Sequence, residues 1–214
     1  MTRTPVDARN EYRALLARLL RTSRRVVAVS GNRQPLSFPD WHLLSEGVLL
    51  TAWSSWEAYL RQLFILDLAT DTAGVLRRDI RAAGFRYTQS PLRLAEAIVD
   101  HPDPSRFVEW SRLGDIKGRA NSLLGPTHRY GAIPPARETT IEHLVKVRNA
   151  IAHNSDTAWD KFSTLIRNAP YTLTPSQRRG ITVGRFLTSH RVGGRTVLHH
   201  FLHELGVAAC DLVP

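Results

Sequence analysis

Arg148, Asn149 and His153 stand together in the stretch Arg148-Asn149-Ala150-Ile151-Ala152-His153. Their types suit the handling of a phosphate. Arginine stays charged and forks onto two phosphate oxygens. Histidine moves a proton near neutral pH. Together they can position a phosphodiester and shuttle a proton while a ribose 2′-hydroxyl attacks it. Geometry sets a condition on that chemistry. Two residues five apart on an ideal helix differ by roughly 140° in direction and about 7.5 Å in height. Their side chains converge where the helix frays at His153, or where a second copy of the chain completes the site.

The element carrying the motif reads as a helix. Ile141, Leu144, Val145 and Ile151 recur at helical spacing and predict one buried face. Thr139 with Glu142 three residues on reads as a capping box, which starts the helix there. Asn154, Ser155 and Asp156 favour caps over helix interiors, so the helix is expected to end near His153. Upstream lies a second amphipathic stretch containing Trp53, Trp56, Glu57, Tyr59 and Leu60.

Arg148 and His153, with Asn149 in the polar second position, resemble the Arg-x4-His motif of the HEPN superfamily. The Ser-Ser-Trp-Glu-Ala-Tyr-Leu helix upstream is similar to the first long helix of the RiboL-PSP-type HEPN branch. The resemblance spans roughly residues 7 to 168. It implies an all-α, HEPN-like helical bundle and a homodimer whose two motifs form one cleft. It also implies metal-independent endoribonuclease activity without a cofactor, in a toxin–antitoxin or anti-phage setting, with a cognate antitoxin protein as a possible partner. Arg148 would then stabilise the scissile phosphate, His153 would transfer the proton and Asn149 would orient one of them. Two other readings stand beside this one: a non-catalytic HEPN-type module binding RNA or protein, and a DNA-binding regulator.

With 214 residues and 43% apolar content, the chain can bury a proper core. The expected organisation is a helical domain over 1–168 and a basic C-terminal segment over 169–214 packed on it. Cys210 is the only cysteine, which excludes an internal disulfide and points to a reducing cytoplasm. Arg3 and Asp7 interrupt the N-terminus, so no signal peptide is expected. The most apolar stretch, 43–68, carries Glu46, Glu57, Arg61 and Asp67, so no membrane span is expected.

A net charge of +10, from 29 basic and 19 acidic residues, favours a polyanionic partner such as RNA. The excess is not evenly spread. Residues 161–203 contain no Asp or Glu, yet hold Lys161, Arg167, Arg178, Arg179, Arg185, Arg191 and Arg195. Arg178, Arg179, Arg185, Arg191 and Arg195 are therefore the candidate nucleic-acid contacts.

Asp7 is placed to cap a first helix bearing Tyr12, Leu15, Leu16, Leu19 and Leu20. Ser37, Pro39 and Asp40 announce a long helix to about Ala69, with Leu49, Trp53, Trp56, Leu60, Leu63 and Phe64 inward. Glu57 borders that stripe and needs a partner, either Arg148, which it would hold in place, or Arg61 at i,i+4. Helices are expected over 72–83, from Ser90-Pro91, from Asp103-Pro104 to Leu124 with a break near Gly114 and Gly118, and from Asp156, capped by it, to Pro170. The last of these carries Trp159, Phe162, Leu165 and Ile166. Residues 125–137 read as loop. Residues 182–187 fit a strand or a helical turn, and 197–207 a helix after the Gly193-Gly194 break.

His199 and His203 stand at i,i+4 on the last helix with His200 beside them, but no nearby Cys, Asp or Glu supplies a convincing third ligand except Glu204, which is expected to point elsewhere, so no metal is assigned. Cys210 has no evident basic partner and reads as a small apolar residue. No phosphate-binding glycine loop, nucleophile elbow or Cys-x-x-Cys pair is present in the sequence.

Overall fold

Capping chemistry sets the first two helices. The computed structural model describes residues 3–70, 74, 90–100, 109–153 and 155–214. Helix α1 spans Pro5–Ala28 and α2 spans Phe38–Thr70. At each start a hydroxyl and a carboxylate three residues on satisfy one another's backbone amides: Thr4 with Asp7, and Ser37 with Asp40. The hydrogen bonds from the Thr4 and Ser37 side chains, with those from their amides, hold both carboxyls below their ordinary range. Asp7 thus caps from inside the helix, reaching back to Thr4.

The remaining helices are α3 (Pro91–Val99), α4 (Leu113–Leu124), α5 (Pro135–Ala152), α6 (Asp156–Arg167), α7 (Pro175–Arg178), α8 (Val183–Ser189) and α9 (Val197–Leu212). A 3₁₀ turn at Arg129–Gly131 and a two-stranded hairpin complete the list among the described residues. The chain is all-α, as expected. In the hairpin, β1 (Arg191–Val192) pairs with β2 (Arg195–Thr196) through Gly193 and Gly194, whose φ values of 55° and 79° suit a two-residue turn. Among the described residues no helix is long and apolar enough to cross a membrane.

The chain folds as two compact units, each built from separated stretches. The first comprises Met1–Tyr12, Trp56–Pro134 and Ala209–Pro214; the second comprises Arg13–Ser55 and Pro135–Ala208.

In the first unit, Trp56, Leu60, Leu63 and Phe64 are buried on α2. Tyr12 stacks on Tyr59 at 5.1 Å between ring centroids, and Phe64 packs on Tyr130 and Trp110. Arg129 pairs with the mostly buried Asp67 at 3.0 Å, and Tyr130 donates to the same carboxylate at 3.2 Å. Burial nevertheless pushes the Asp67 carboxyl up, against the pull of Arg129. The end of α9 is tied down by two arginines: Arg9 donates to Val213 O at 2.7 Å and Arg129 to Leu212 O at 3.3 Å.

In the second unit, α5, α6 and α8 converge on an aromatic cluster. Phe162, Tyr171 and Phe186 meet edge to face, and the His190 ring stacks on Phe186 at 5.8 Å. Helix α8 docks on α2 through Gly184. Its amide donates to Glu46 Oε1 at 2.6 Å, and a Cβ on residue 184 would lie 2.5 Å from the His42 carbonyl oxygen. Only glycine fits that approach.

Several local expectations shift. The motif helix starts at Pro135, and Thr139 lies inside it, with its hydroxyl donating to Pro135 O at 3.1 Å. A proline at the first helical position supplies the start that the Thr139-Glu142 pattern mimicked. Its buried face is Ile141, Leu144 and Val147, whereas Val145 and Ile151 are half-buried. Helix α4 begins at Leu113 and passes Gly118 without interruption. Ser155, rather than Asp156, caps α6 by accepting from the Ala158 amide at 3.3 Å. Residues 183–189 are helical, with Thr182 as the cap, and α9 runs on to Leu212. The Ser90-Pro91 start holds, with Ser90 accepting from the Arg93 amide. The expected helix over 72–83 and the Asp103-Pro104 start lie outside the described residues.

Candidate active site

Helix α5 presents Arg148 and Asn149 on its last turn and releases the chain after Ala152. The His153 amide still donates to Asn149 O at 2.9 Å, closing one last helical bond. The Ser155 amide then donates to His153 O at 2.9 Å, and Ser155 caps α6. The break thus falls at His153, whose side chain is no longer held to the helical direction. Arg148 Nη1 donates to Asn149 Oδ1 at 2.9 Å and to His153 Nε2 at 3.4 Å. The three motif residues therefore meet within one chain, and the convergence problem of a regular helix is solved by the break.

A guanidinium only donates, so in this contact Nε2 of His153 is the accepting atom. Nη1 carries both bonds, and among the described residues Nη2 and Nε stay available to an incoming acceptor. Arg148 and Asn149 are half-buried and His153 is exposed, so the group is open to a polyanion.

Glu57 lies on α2 in the first unit, half-buried, whereas Arg148 belongs to the second. Arg61, the other partner considered for Glu57, binds the Asp100 carboxylate, with Nε 3.1 Å from Oδ1.

All five C-terminal candidate arginines lie in the second unit. Arg179, Arg185, Arg191 and Arg195 are exposed; Arg178 is half-buried, with its Nε enclosed and facing no acceptor among the described residues. Arg191 also braces its own hairpin by donating to Gly194 O at 2.9 Å. The α9 histidines serve local structure. His199 Nε2 bonds the buried Ser23 hydroxyl at 3.3 Å, and His203 Nδ1 meets Glu204, which also accepts from Arg137. Burial, then the nearby guanidinium groups of Arg24 and Arg191, hold the His199 imidazole below its ordinary range.

Trp159 lies in the first turns of α6. It shares a wheel direction with the buried Ile166 to within about 20°, yet it is 43% exposed. It stands seven residues nearer the start of α6, where the core no longer covers that face. Its position in the first turn after the cap was the available signal.

No protein-family model, curated protein or solved structure matches this chain.

Proposed function

We propose that this protein is a metal-independent endoribonuclease of HEPN type, in which Arg148, Asn149 and His153 carry the chemistry. The observation that supports this most is the convergence of Arg148 Nη1 and His153 Nε2 at 3.4 Å beside Asn149 Oδ1. Single-stranded RNA supplies a phosphate that competes for the guanidinium. As Arg148 turns onto the phosphate oxygens, Nε2 of His153 is freed with its lone pair intact. His153 then takes the proton of the 2′-hydroxyl, and the 2′-oxygen bonds to phosphorus. The bond from phosphorus to the 5′-oxygen breaks, that oxygen takes a proton from water, and the hydroxide left behind takes the proton held by His153, which restores the imidazole. The products are a 2′,3′-cyclic phosphate and a 5′-hydroxyl. Arg148 offsets the negative charge that grows on the phosphoryl oxygens, and Asn149 fixes one edge of the guanidinium.

The net charge of +10 and the acid-free stretch 161–203, with five of its six arginines exposed, suit RNA as the partner. Homodimerisation, an antitoxin partner and a defence role belong to the same proposal and rest on the family resemblance, while a cytoplasmic setting rests on Cys210 as the only cysteine. Arg148→Ala and His153→Ala should each lower cleavage of single-stranded RNA by at least about a hundredfold, in chelator, with the helical content unchanged. Wild-type protein that leaves RNA uncut would move the assignment to a non-catalytic binding module.

A further inference from the structure

We infer that Trp159 is a base-stacking platform for the RNA strand presented to Arg148 and His153; the inference rests on the ribonuclease reading above. Helices α5 and α6 pack on one another and are joined through residues 153–155. The end of α5 that carries the motif and the start of α6 therefore lie at the same end of the pair. From Ser155, whose amide is bonded to His153 O, the chain rises only about 6 Å along α6 to Trp159. Trp159 is 43% exposed there, although tryptophans are usually covered in folded chains.

The ring is held as a platform requires. It meets Phe162 with centroids 5.2 Å apart at an interplanar angle of 48°. Phe162 is fully buried and is itself set edge to face against Phe186 at 5.5 Å. One side of the indole is thus anchored to the aromatic core of the second unit, and the rest is offered to solvent. The charges beside it select the part of a nucleotide it can take. Asp156 and Asp160 are exposed on the same turns and repel phosphate, while Lys161, next to Asp160 in the chain, is an exposed cation. An uncharged base face suits this surface, and the phosphate is left to Arg148. Aromatic stacking accepts any base, so the platform positions the strand with little demand on sequence.

The test uses His153→Ala protein, so that binding is read without cleavage. Affinity for a short single-stranded oligoribonucleotide of mixed sequence is measured at low salt, with Trp159, Trp159→Phe and Trp159→Ala in that background. An oligonucleotide of the same length built from abasic sugars is measured alongside. Loss of one stacked base should weaken binding by about fivefold to a hundredfold in Trp159→Ala. Trp159→Phe should retain most of the affinity, and the abasic strand should bind all three proteins alike. Equal RNA affinity in Trp159→Ala and its parent overturns the stacking role and leaves the ribonuclease reading standing. Equal weakening of RNA and the abasic strand also overturns it, since the ring would then act through the backbone or the fold. Absence of RNA binding by the His153→Ala parent overturns the RNA reading itself. An unchanged thermal midpoint in Trp159→Phe separates these outcomes from misfolding.

Discussion

Arg148 Nη1 lies 3.4 Å from His153 Nε2, although the two residues stand five apart, on and just beyond α5. A regular helix would point them in nearly opposite directions. The break after Ala152 and the reach of the arginine side chain bring them together inside one chain. This bears directly on how a cleft would be assembled, because convergence no longer requires a second copy.

Mixing the two inactive variants tests that point. In a mixture of Arg148→Ala and His153→Ala, no chain carries both groups. If each chain uses its own pair, the mixture stays as inactive as either variant alone. Recovery of cleavage on mixing, followed with time and protein concentration, would show a cleft that draws on both chains.

Salt dependence tests the basic segment. Arg179, Arg185 and Arg195 are exposed. If they contact the RNA backbone, replacing them together with alanine should flatten the plot of log affinity against log salt. The slope should lose up to roughly 0.7 per phosphate contact removed. Arg178 is unsuited to this measurement, because its enclosed Nε makes it part of the packing. An unchanged slope in the triple variant assigns the segment another role.

What could be read from the sequence followed physical scale. Helix α2 was legible because Leu49, Trp53, Trp56, Leu60, Leu63 and Phe64 form one continuous stripe, and all six are buried. Its start was legible because Ser37 and Asp40 have the spacing of a reciprocal cap. The motif helix was misjudged at its start, where Pro135 competes with a Thr-x-x-Glu pattern four residues on. Neither the Gly184–His42 approach nor the Arg129–Asp67 pair leaves a mark in local sequence, since each joins residues far apart in the chain. The meeting of Arg148 with His153 could be posed only as a condition, because periodicity does not say where a helix frays.

Acidification should destabilise the second unit. His42, His143, His190, His199 and His200 all lie in it, and burial holds each below the ordinary value of 6.5. The folded chain therefore binds fewer protons than the unfolded chain at mildly acidic pH. Their contribution is complete above 6.5 and is lost as pH falls towards the folded-state values. The Glu46 carboxyl of the same unit acts with the opposite sign, because burial raises it and the folded state keeps its proton longer. With five groups against one, the denaturant midpoint should fall between about pH 7.5 and about pH 5.5, within the range where histidine titrates. A midpoint that rises over this range would contradict the assignment.

The aromatic cluster offers a paired test of packing against polarity. The Tyr171 ring packs edge to face on Phe186 at 5.1 Å and lies 5.6 Å from the His143 ring. Its hydroxyl is enclosed and meets no hydrogen-bond partner among the described residues. Burial accordingly pushes the phenol well above its ordinary range. An enclosed hydroxyl without a partner costs about 1–3 kcal/mol of desolvation. Tyr171→Phe keeps the ring and removes that cost, so it should leave stability unchanged or raise it by about 1 kcal/mol. Phe186→Ala removes the ring at the centre of the cluster, which is fully buried, and should cost about 3–5 kcal/mol. Gly184→Ala should also destabilise, because the new Cβ meets the His42 carbonyl and strains the Glu46 bond to the residue 184 amide. Chemical denaturation of the three variants measures all of these on one scale. A Tyr171→Phe protein less stable than wild type by more than about 1 kcal/mol would mean that the hydroxyl is bonded after all, and a tolerated Gly184→Ala would mean that α8 can move off α2.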